Sequence, residues 1–466
     1  MAKSDLRRLP SVGQMAERDD VQALALSFSR TQVITALRKS LDTLRAELLQ
    51  DESTTLPSPE EIVCGVERDL TRSARPGVQK AINATGVILH TGLGRAILSP
   101  AARQALYELD GYCLVQMDVE TGERCLREAH VEKLLAELTG SEAATVVNNN
   151  AGATLLVLNT IAKGQQVIVS RGQLVEIGGS FRIPDVMEQS GARLVEVGTT
   201  NRTHLRDYEN AINENTAALL HVHTSNYRIQ GFTKSVSVAE LAELGRRYSL
   251  PVVDDLGSGA LIDLARFGFG TEPLVSESVK CGADLITFSA DKLVGGPQGG
   301  IILGSRDQIQ RVRKNSLMRA LRVDKLILLA LEMTLREFLD PEKLMANHPT
   351  MRLFGLPLDG LRQRAHRLAQ AIAESVPNVE VAVERGASRI GSGSLPLEEV
   401  PTYTVMVGSS EHDVGRLSLA LRRAAPPIIT RIHEERLVFD LRTILNDHEE
   451  QSIVESLAKI MEKNEA

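Results

Sequence analysis

The chain has 466 residues and a net charge of −7 at pH 7, with 43% hydrophobic and 24% charged residues. At roughly 150 residues per domain, this length predicts about three domains. Tryptophan is absent and aromatic residues make up only 3%, so the composition disfavours a nucleic-acid surface of stacked aromatic rings, and we expect no DNA partner.

The four cysteines are scattered and show no paired spacing. The sequence therefore indicates neither a zinc site nor a disulfide framework. Its first residues lack the apolar core of a signal peptide, and no apolar run is long enough to cross a bilayer. We expect a cytoplasmic protein with no metal site and no membrane partner.

Residues 1–71 are predicted to form a separate helical domain. Apolar residues recur at helical spacing between Val21 and Leu49, and a second helix is expected from Pro59 to Thr71. Periodicity alone leaves two interpretations open. The unit is a helical cap packed on its own core, or it is an arm that recognises a large partner through outward-facing basic side chains. Those side chains are Arg30, Arg38, Lys39 and Arg45.

Residues 72–349 alternate between strands and helices, which is typical of an α/β domain. A short strand and a glycine turn lead to Arg95, an arginine that could hold an anion or simply be solvated. A strand over 143–147 is followed by a small-residue turn and a helix over 154–162. Unpaired amides where that helix begins could hold one phosphate, with an ordinary βα loop as the alternative. The amides of this turn include those of Ala151, Gly152 and Ala153.

Two later strands end in side chains that can carry chemistry. The first ends in Asp254 and Asp255, and a carboxylate at the carboxyl end of a strand faces the usual ligand crevice of an open α/β sheet. The second leads to Lys292 and a run of glycines. Partial burial there would lower the lysine pKa from about 10.4 and favour attack on an aldehyde. Solvated turn acids and a surface lysine are the alternatives.

Two pairs of polar residues are weaker indicators of a functional site. His221 and His223 share one face of a predicted strand, but we find no third metal ligand nearby and expect structural histidines, one of which could line a pocket. Arg319 and Arg322 are three apart in a helical stretch and so share a face, which taken alone indicates a solvated helix face. Residues 350–466 are predicted to form a small α+β domain.

A phosphate cradle, a carboxylate and a lysine together suit pyridoxal 5′-phosphate. That cofactor needs a clamp for its phosphate, an anion that keeps its pyridine nitrogen protonated, and an amine that holds its aldehyde. Their order in the chain, followed by a small C-terminal domain, resembles the aspartate-aminotransferase-like fold, the fold type I of enzymes that use this cofactor.

The sequence also resembles the bacterial selenocysteine synthases, the family of L-seryl-tRNA(Sec) selenium transferases, over essentially its whole length. The runs that carry this resemblance are Leu9–Val12, Ile82–Val87, Leu93–Arg95, Val147–Asn150, Ile177–Pro184, Asp254–Gly259, Ser289–Gly300, Arg319–Lys325 and Asp440–Thr443.

The resemblance implies conversion of L-seryl-tRNA(Sec) to L-selenocysteinyl-tRNA(Sec) with selenophosphate. Water is eliminated to give an aminoacryloyl-tRNA, and selenium then adds. Lys292 would carry the cofactor and take the α-proton, and Asp291 would assist proton transfer. Asp254 would pair with the pyridinium nitrogen, with Asp255 as its alternative. The residues implied to bind selenophosphate are Arg95, Arg319 and Arg322. The family also binds its tRNA through the N-terminal unit and forms homo-oligomeric rings, typically decamers.

The chain departs from the family pattern at Gly92, Cys125 and Gln173, the last of which stands where an acid is expected. One alternative function is a lyase that uses the same cofactor on a free amino acid or sugar acid. Another is a tRNA-binding scaffold whose Lys292 carries no cofactor. The N-terminal unit and the paired arginines Arg319 and Arg322 favour the transferase over the lyase.

Overall fold

The computed structural model describes residues 8–50, 55–74, 76–179, 181–270 and 272–464. The chain folds into two compact units, residues 1–80 and residues 81–466. The finer predicted division, with boundaries after residues 71 and 349, stays a prediction.

The N-terminal unit is helical and has its own apolar core. Its described helices are α1 (Val12–Ala16), α2 (Asp19–Ser27), α3 (Arg30–Gln50) and α4 (Pro59–Ala74). Leu37 and Leu41 of α3 are buried in one cluster with Ile62 and Val66 of α4. The four basic side chains predicted to face outward are all exposed. The unit therefore combines a core of its own with a basic outer face.

The single helix predicted between Val21 and Leu49 is wrong, because the chain breaks between α2 and α3. Ser29 and Gln32 form the reciprocal bonds of a capping box. The Gln32 amide donates to Ser29 Oγ at 3.3 Å, and the Ser29 amide donates to Gln32 Oε1 at 3.0 Å. These bonds start a new helix at Arg30 inside a continuous apolar pattern.

The larger unit is built on a seven-stranded mixed sheet. Its strands, in spatial order, are β2 (Ala143–Val147), β10 (Gly300–Gly304), β9 (Leu285–Ser289), β8 (Val252–Gly257), β7 (Thr216–Val222), β3 (Gln166–Ser170) and β6 (Arg193–Val197). β10 is antiparallel to both of its neighbours, and the other pairs are parallel. Several of these strands are buried along their whole length, as is typical of a sheet covered on both faces. The predicted α/β class is confirmed.

Helices and short strands surround this sheet. The helices are α5 (Pro100–Glu108), α6 (Ala129–Thr139), α7 (Asn150–Ala162), α8 (Ile183–Ser190), α9 (Leu205–Ala211), α10 (Val238–Tyr248), α11 (Val275–Cys281), α12 (Arg306–Lys314), α13 (Leu317–Leu321), α14 (Lys325–Glu337), α15 (Pro341–Asn347) and α16 (Pro349–Phe354). The short strands are β1 (Ile82–Asn83), β4 (Glu176–Ile177) and β5 (Phe181–Arg182). Among the described residues, no helix is long and apolar enough to span a membrane.

The C-terminal part of this unit is an antiparallel sheet with helices. Its elements are α17 (Leu358–Ser375), β11 (Val379–Gly391), β12 (Ser394–Ser409), α18 (Val414–Arg422), β13 (Ile428–Ile429), β14 (Arg431–His433), β15 (Arg436–Asp440) and α19 (Asp447–Asn464). β11 and β12 form a hairpin much longer than the predicted strands over 379–383 and 402–407. The intervening residues mix exposed polar side chains with buried apolar ones, among them Ile390, Leu395 and Val400, so no regular apolar pattern reveals them. β1 pairs with β13, which fixes the segment that leads to Arg95.

Candidate active site

Lys292 lies just beyond β9 and is only 5% exposed. The turn around it is closed by two backbone bonds of 2.8 Å, from Ala290 to Gly299 and from Gly296 to Ala290. Gly295 has a φ of +72°, and a Cβ atom there would lie 2.1 Å from His348 Cε1, so the turn requires glycine at that position. Burial lowers the pKa of Lys292, and the positive charge of Arg95 adds to this shift. At a given pH, a larger fraction of Lys292 is therefore in the neutral, nucleophilic form than for an ordinary lysine.

Arg95 and Asp291 form an ion pair next to this lysine. Arg95 Nη1 donates to Asp291 Oδ2 at 2.7 Å, where the acid is buried and the arginine is partly exposed. Arg95 has a φ of +62°, and its amide donates to the His90 carbonyl at 3.0 Å. Arg95 and Asp291 also line a groove of about 370 Å³. The structure thus brings three predicted site residues together.

This geometry predicts the pH dependence of cofactor loading. Only the neutral amine of Lys292 attacks an aldehyde, so the rate at which the apo-protein combines with pyridoxal 5′-phosphate is expected to rise with pH. Its midpoint should lie below the ordinary lysine value of about 10.4, because burial lowers the pKa of Lys292. Stopped-flow absorbance across a pH series measures this midpoint.

Two substitutions should move that midpoint in opposite directions. Arg95→Gln removes a positive charge that lowers the pKa of Lys292, so the midpoint should rise. Asp291→Asn removes a negative charge that raises the pKa, so the midpoint should fall. Identical midpoints in the wild type and both variants would contradict this account.

Asp254 and Asp255 are adjacent on β8 and therefore point to opposite faces of the sheet. Asp254 is 0% exposed. The Ser278 hydroxyl donates to its Oδ2 at 2.6 Å, and His221 Nδ1 lies 2.7 Å from its Oδ1. Asp255 accepts from Asn150 Nδ2 at 2.9 Å and from the Thr154 hydroxyl at 3.0 Å, and burial raises its pKa. The two acids thus have separate sets of partners.

The predicted phosphate cradle has different geometry from the expectation. Helix α7 begins at Asn150 and not at Thr154, because the Asn149 side chain caps it. The Gly152 amide donates to Asn149 Oδ1 at 2.8 Å, and the Ala153 amide donates to the Asn149 carbonyl at 3.0 Å. Two of the predicted amide donors are thus engaged by the helix start. Ala151 lies in the first turn of α7, where backbone amides have no partner within the helix. Its amide is therefore the predicted donor that remains for a ligand.

Buried polar atoms without a hydrogen-bond partner also lie at the edge of the sheet that carries Lys292 and the two acids. They include Asn150 Oδ1, Ser225 Oγ and Asn226 Oδ1. Asn150 holds Asp255, and Ser225 lies against Gly257 at the end of β8. Native proteins seldom leave buried polar atoms unpaired, so these atoms fit a polar ligand beside the lysine and the two acids. The residues present therefore fit pyridoxal 5′-phosphate.

Arg319 and Arg322 do not share a helix face as predicted, because α13 ends at Leu321. Arg322 adopts an extended conformation and forms a β-bridge with Val147, at the end of the strand that precedes α7. Both arginine side chains are exposed. Within the described ranges, no hydrogen bond joins either of them to Arg95 or Lys292.

The three departures from the family pattern fit the fold. Gly92 and Cys125 both have ordinary backbone conformations, so neither position needs a glycine. Gln173 is buried, and its Oε1 accepts from the Val222 amide at 3.2 Å.

Sequence reasoning missed two interactions near the site. His221 was expected to be structural, but its partner is Asp254. The two residues lie directly opposite each other on β7 and β8, a pairing that only the structure shows. His223 Nε2 lies 3.5 Å from Glu272 Oε2, and the Ser258 hydroxyl donates to the same carboxylate. Glu272 lies in a loop with no pattern around it, so the sequence carried no signal for it. In the part of the chain that the structure describes, no group of acids, histidines and cysteines is arranged to hold a metal.

Comparisons with known proteins show which family this chain is similar to. A family model described as L-seryl-tRNA selenium transferase matches residues 81–445. An L-seryl-tRNA(Sec) selenium transferase of Alkaliphilus metalliredigens is 46% identical over 444 residues, which cover 94% of this chain and 95% of that protein. A protein of the same name from Moorella thermoacetica is 47% identical over 443 residues, 94% of each chain.

A solved structure shares the fold. A D-glucosaminate-6-phosphate ammonia-lyase superposes with a TM-score of 0.57 at 21% identity, covering 88% of this chain and 100% of that one. The predicted aspartate-aminotransferase-like fold is confirmed.

Proposed function

Because the chain belongs to the L-seryl-tRNA selenium transferase family, we propose that it converts L-seryl-tRNA(Sec) to L-selenocysteinyl-tRNA(Sec). Its cofactor is pyridoxal 5′-phosphate, and the proposed selenium donor is selenophosphate. The observation that carries the proposal is the buried Lys292, whose pKa burial lowers, beside the Arg95–Asp291 ion pair. This arrangement gives an amine that can both attack an aldehyde and exchange a proton.

The cofactor, when bound, supplies an aldehyde for covalent attachment and a ring that withdraws electrons from the seryl α-carbon. Lys292 would hold the cofactor through its aldehyde, and the free amine of Lys292 would take the α-proton of the seryl group. Asp291 favours the protonated form of Lys292, since its charge raises the lysine pKa. It thereby assists that transfer. Asp254 would pair with the ring nitrogen of the cofactor, and the amide of Ala151 would contribute to binding its phosphate.

Three arginines are proposed to bind selenophosphate. Arg95 has only part of its guanidinium engaged by Asp291, and Arg319 and Arg322 are exposed. A guanidinium can bind a phosphoryl group through two parallel hydrogen bonds, and several together suit a multiply charged donor. Arg322 also lies beside the strand end that leads into α7.

The proposed reaction is tested by its product. Purified protein loaded with cofactor is incubated with seryl-tRNA(Sec) and selenophosphate, and the amino acid released from the tRNA is identified by mass spectrometry. Selenocysteine is the expected product. Recovery of serine alone, under conditions in which the cofactor is bound, would contradict the proposal.

A lyase that acts on a free amino acid or sugar acid is the less supported alternative. The ammonia-lyase superposition shows a shared fold only, at 21% identity. The two functions are distinguished by offering free serine and seryl-tRNA(Sec) separately. Turnover confined to free serine would favour the lyase.

We also propose that the N-terminal unit binds the tRNA. Deletion of residues 1–80 is expected to abolish turnover of seryl-tRNA(Sec) while leaving cofactor absorbance intact, because Lys292, Asp254 and Asp255 all belong to residues 81–466. Turnover and absorbance of the truncated protein are measured together.

The full-length variant Arg38→Glu/Lys39→Glu is the matched control for that deletion. Both side chains lie on the exposed face of α3, so the fold should persist while tRNA affinity falls. Full activity in the truncated protein would defeat the assignment of this unit to tRNA binding.

A homo-oligomer, a decameric ring by family resemblance, is the proposed assembly. Large apolar side chains are exposed along residues 107–126, and such patches typically mark protein interfaces. The exposed residues of this segment are Tyr107, Tyr112, Leu114, Met117, Val119 and Leu126. We further propose a cytoplasmic location, which four unpaired cysteines, all within the described ranges, support.

A further inference from the structure

A second cavity lies beyond the carboxyl ends of β3 and β7, and the proposed reaction does not use it. Its volume is about 340 Å³, at the low end of the roughly 300–1,000 Å³ of small-molecule sites. Its wall includes His221, the partner of Asp254. The cavity therefore adjoins the proposed catalytic centre and is separate from the groove that holds Arg95.

The lining of this cavity is cationic. Arg202, Arg228 and Lys234 line it, and within the described ranges none of the three forms an ion pair. None of the described residues that line it is an aspartate or a glutamate. Acids do lie close by: Glu272 and Glu398 line a smaller cavity of about 40 Å³ that Arg228 also borders. Glu240 interacts electrostatically with Lys234.

The backbone holds two of these cations opposite each other. The Thr203 amide donates to the Lys234 carbonyl at 2.9 Å, and the Lys234 amide donates to the Asn201 carbonyl at 3.0 Å. Arg202 and Lys234 thereby form a parallel bridge. An anion bound between them would be attracted by both charges.

Gln173 gives the cavity a neutral hydrogen-bond donor. Its side chain is 7% exposed, and its Oε1 already accepts from the Val222 amide. The other amide atom, Nε2, can only donate, and no described residue accepts from it. A carboxylate at this position would instead place a negative charge in the wall.

We infer that this cavity binds a phosphate group carried on a sugar. Arg202, Arg228 and Lys234 supply the positive charge, and Gln173 Nε2 supplies a hydrogen bond. A backbone phosphate at the acceptor end of an RNA and the phosphate of a free nucleotide share this chemistry. The first source rests on the proposed function, because a seryl ester at the 3′ end of a tRNA has backbone phosphates close behind it.

The experiment measures binding to full-length, cofactor-loaded protein at constant ionic strength. The probes are an unacylated RNA oligonucleotide ending in CCA and adenosine 5′-monophosphate. Amide exchange over 199–203 and 228–235 reports occupancy of this cavity apart from the Arg95 groove. The variants are Arg228→Gln/Lys234→Gln and Gln173→Glu. A control, Arg306→Gln/Arg352→Gln, removes the same charge from exposed positions outside the cavity.

The double variant is expected to weaken binding of the recognised probe about tenfold or more, because two charge-assisted contacts are lost. Gln173→Glu should weaken binding about tenfold, because it replaces a hydrogen-bond donor by a negative charge that repels the phosphate. The control should change affinity less than about twofold. A loss specific to the oligonucleotide assigns the RNA end, and a loss specific to adenosine 5′-monophosphate assigns a free nucleotide. The inference would be overturned if, for each probe, the wild type, the double variant and Gln173→Glu bound with the same affinity. The readout needs neither serine nor selenium, so it stands apart from the test of the proposed reaction.

Discussion

Replacement of Lys292 by alanine is expected to lower turnover of seryl-tRNA(Sec) on the order of 10³-fold or more. The wild-type amine is buried, and its pKa is lowered, so it is prepared both to hold an aldehyde and to move a proton. Alanine can do neither. Single-turnover assays measure the rate. Borohydride reduction followed by peptide mass spectrometry shows whether the cofactor is attached to the peptide that contains position 292.

The control for this substitution is Lys280→Ala, at an exposed lysine in the last turn of α11. It should leave turnover and the labelled peptide unchanged. Thermal unfolding of the Lys292→Ala protein verifies that its fold is intact. Cofactor attached to a lysine other than Lys292, or near-normal turnover without Lys292, would contradict the mechanism.

Local sequence signals predicted the elements of the sheet well. β2 begins and ends at the predicted residues, 143 and 147. α10 follows the capping-box spacing of Ser237 and Glu240, whose reciprocal hydrogen bonds the structure contains. These features depend only on residues close together in the chain, so periodicity and cap chemistry suffice to find them.

The contacts that define the candidate site join residues far apart in the chain. Arg95 and Asp291 are separated by 196 positions, and Asp254 lies 33 positions from His221. Such pairs depend on which strands become neighbours, which periodicity does not reveal. The start of α7 was missed for another reason. Asn149 competes for the cap, and its side chain engages an amide that the turn pattern alone would leave free.

The assignment of the ring-nitrogen partner predicts a second large effect. Asp254→Asn is expected to lower turnover about 10²-fold or more, because it removes the negative charge that keeps the pyridine nitrogen protonated. Asp254 is suited to this role because Ser278 and His221 hold its two oxygens at 2.6 and 2.7 Å. Single-turnover rates and cofactor affinity are measured for the variant.

Asp255→Asn is the matched control, since it makes the same change at the adjacent position. Burial raises the pKa of Asp255, which makes that acid a poorer source of negative charge, and its partners belong to α7. We therefore expect its effect on turnover to be less than about tenfold. The reverse order of effects would assign the ring nitrogen to Asp255 and leave Asp254, with His221 and Ser278, as a structural network behind the sheet. Because the two side chains point to opposite faces, the order of these two losses also reports which face of β8 the cofactor ring contacts.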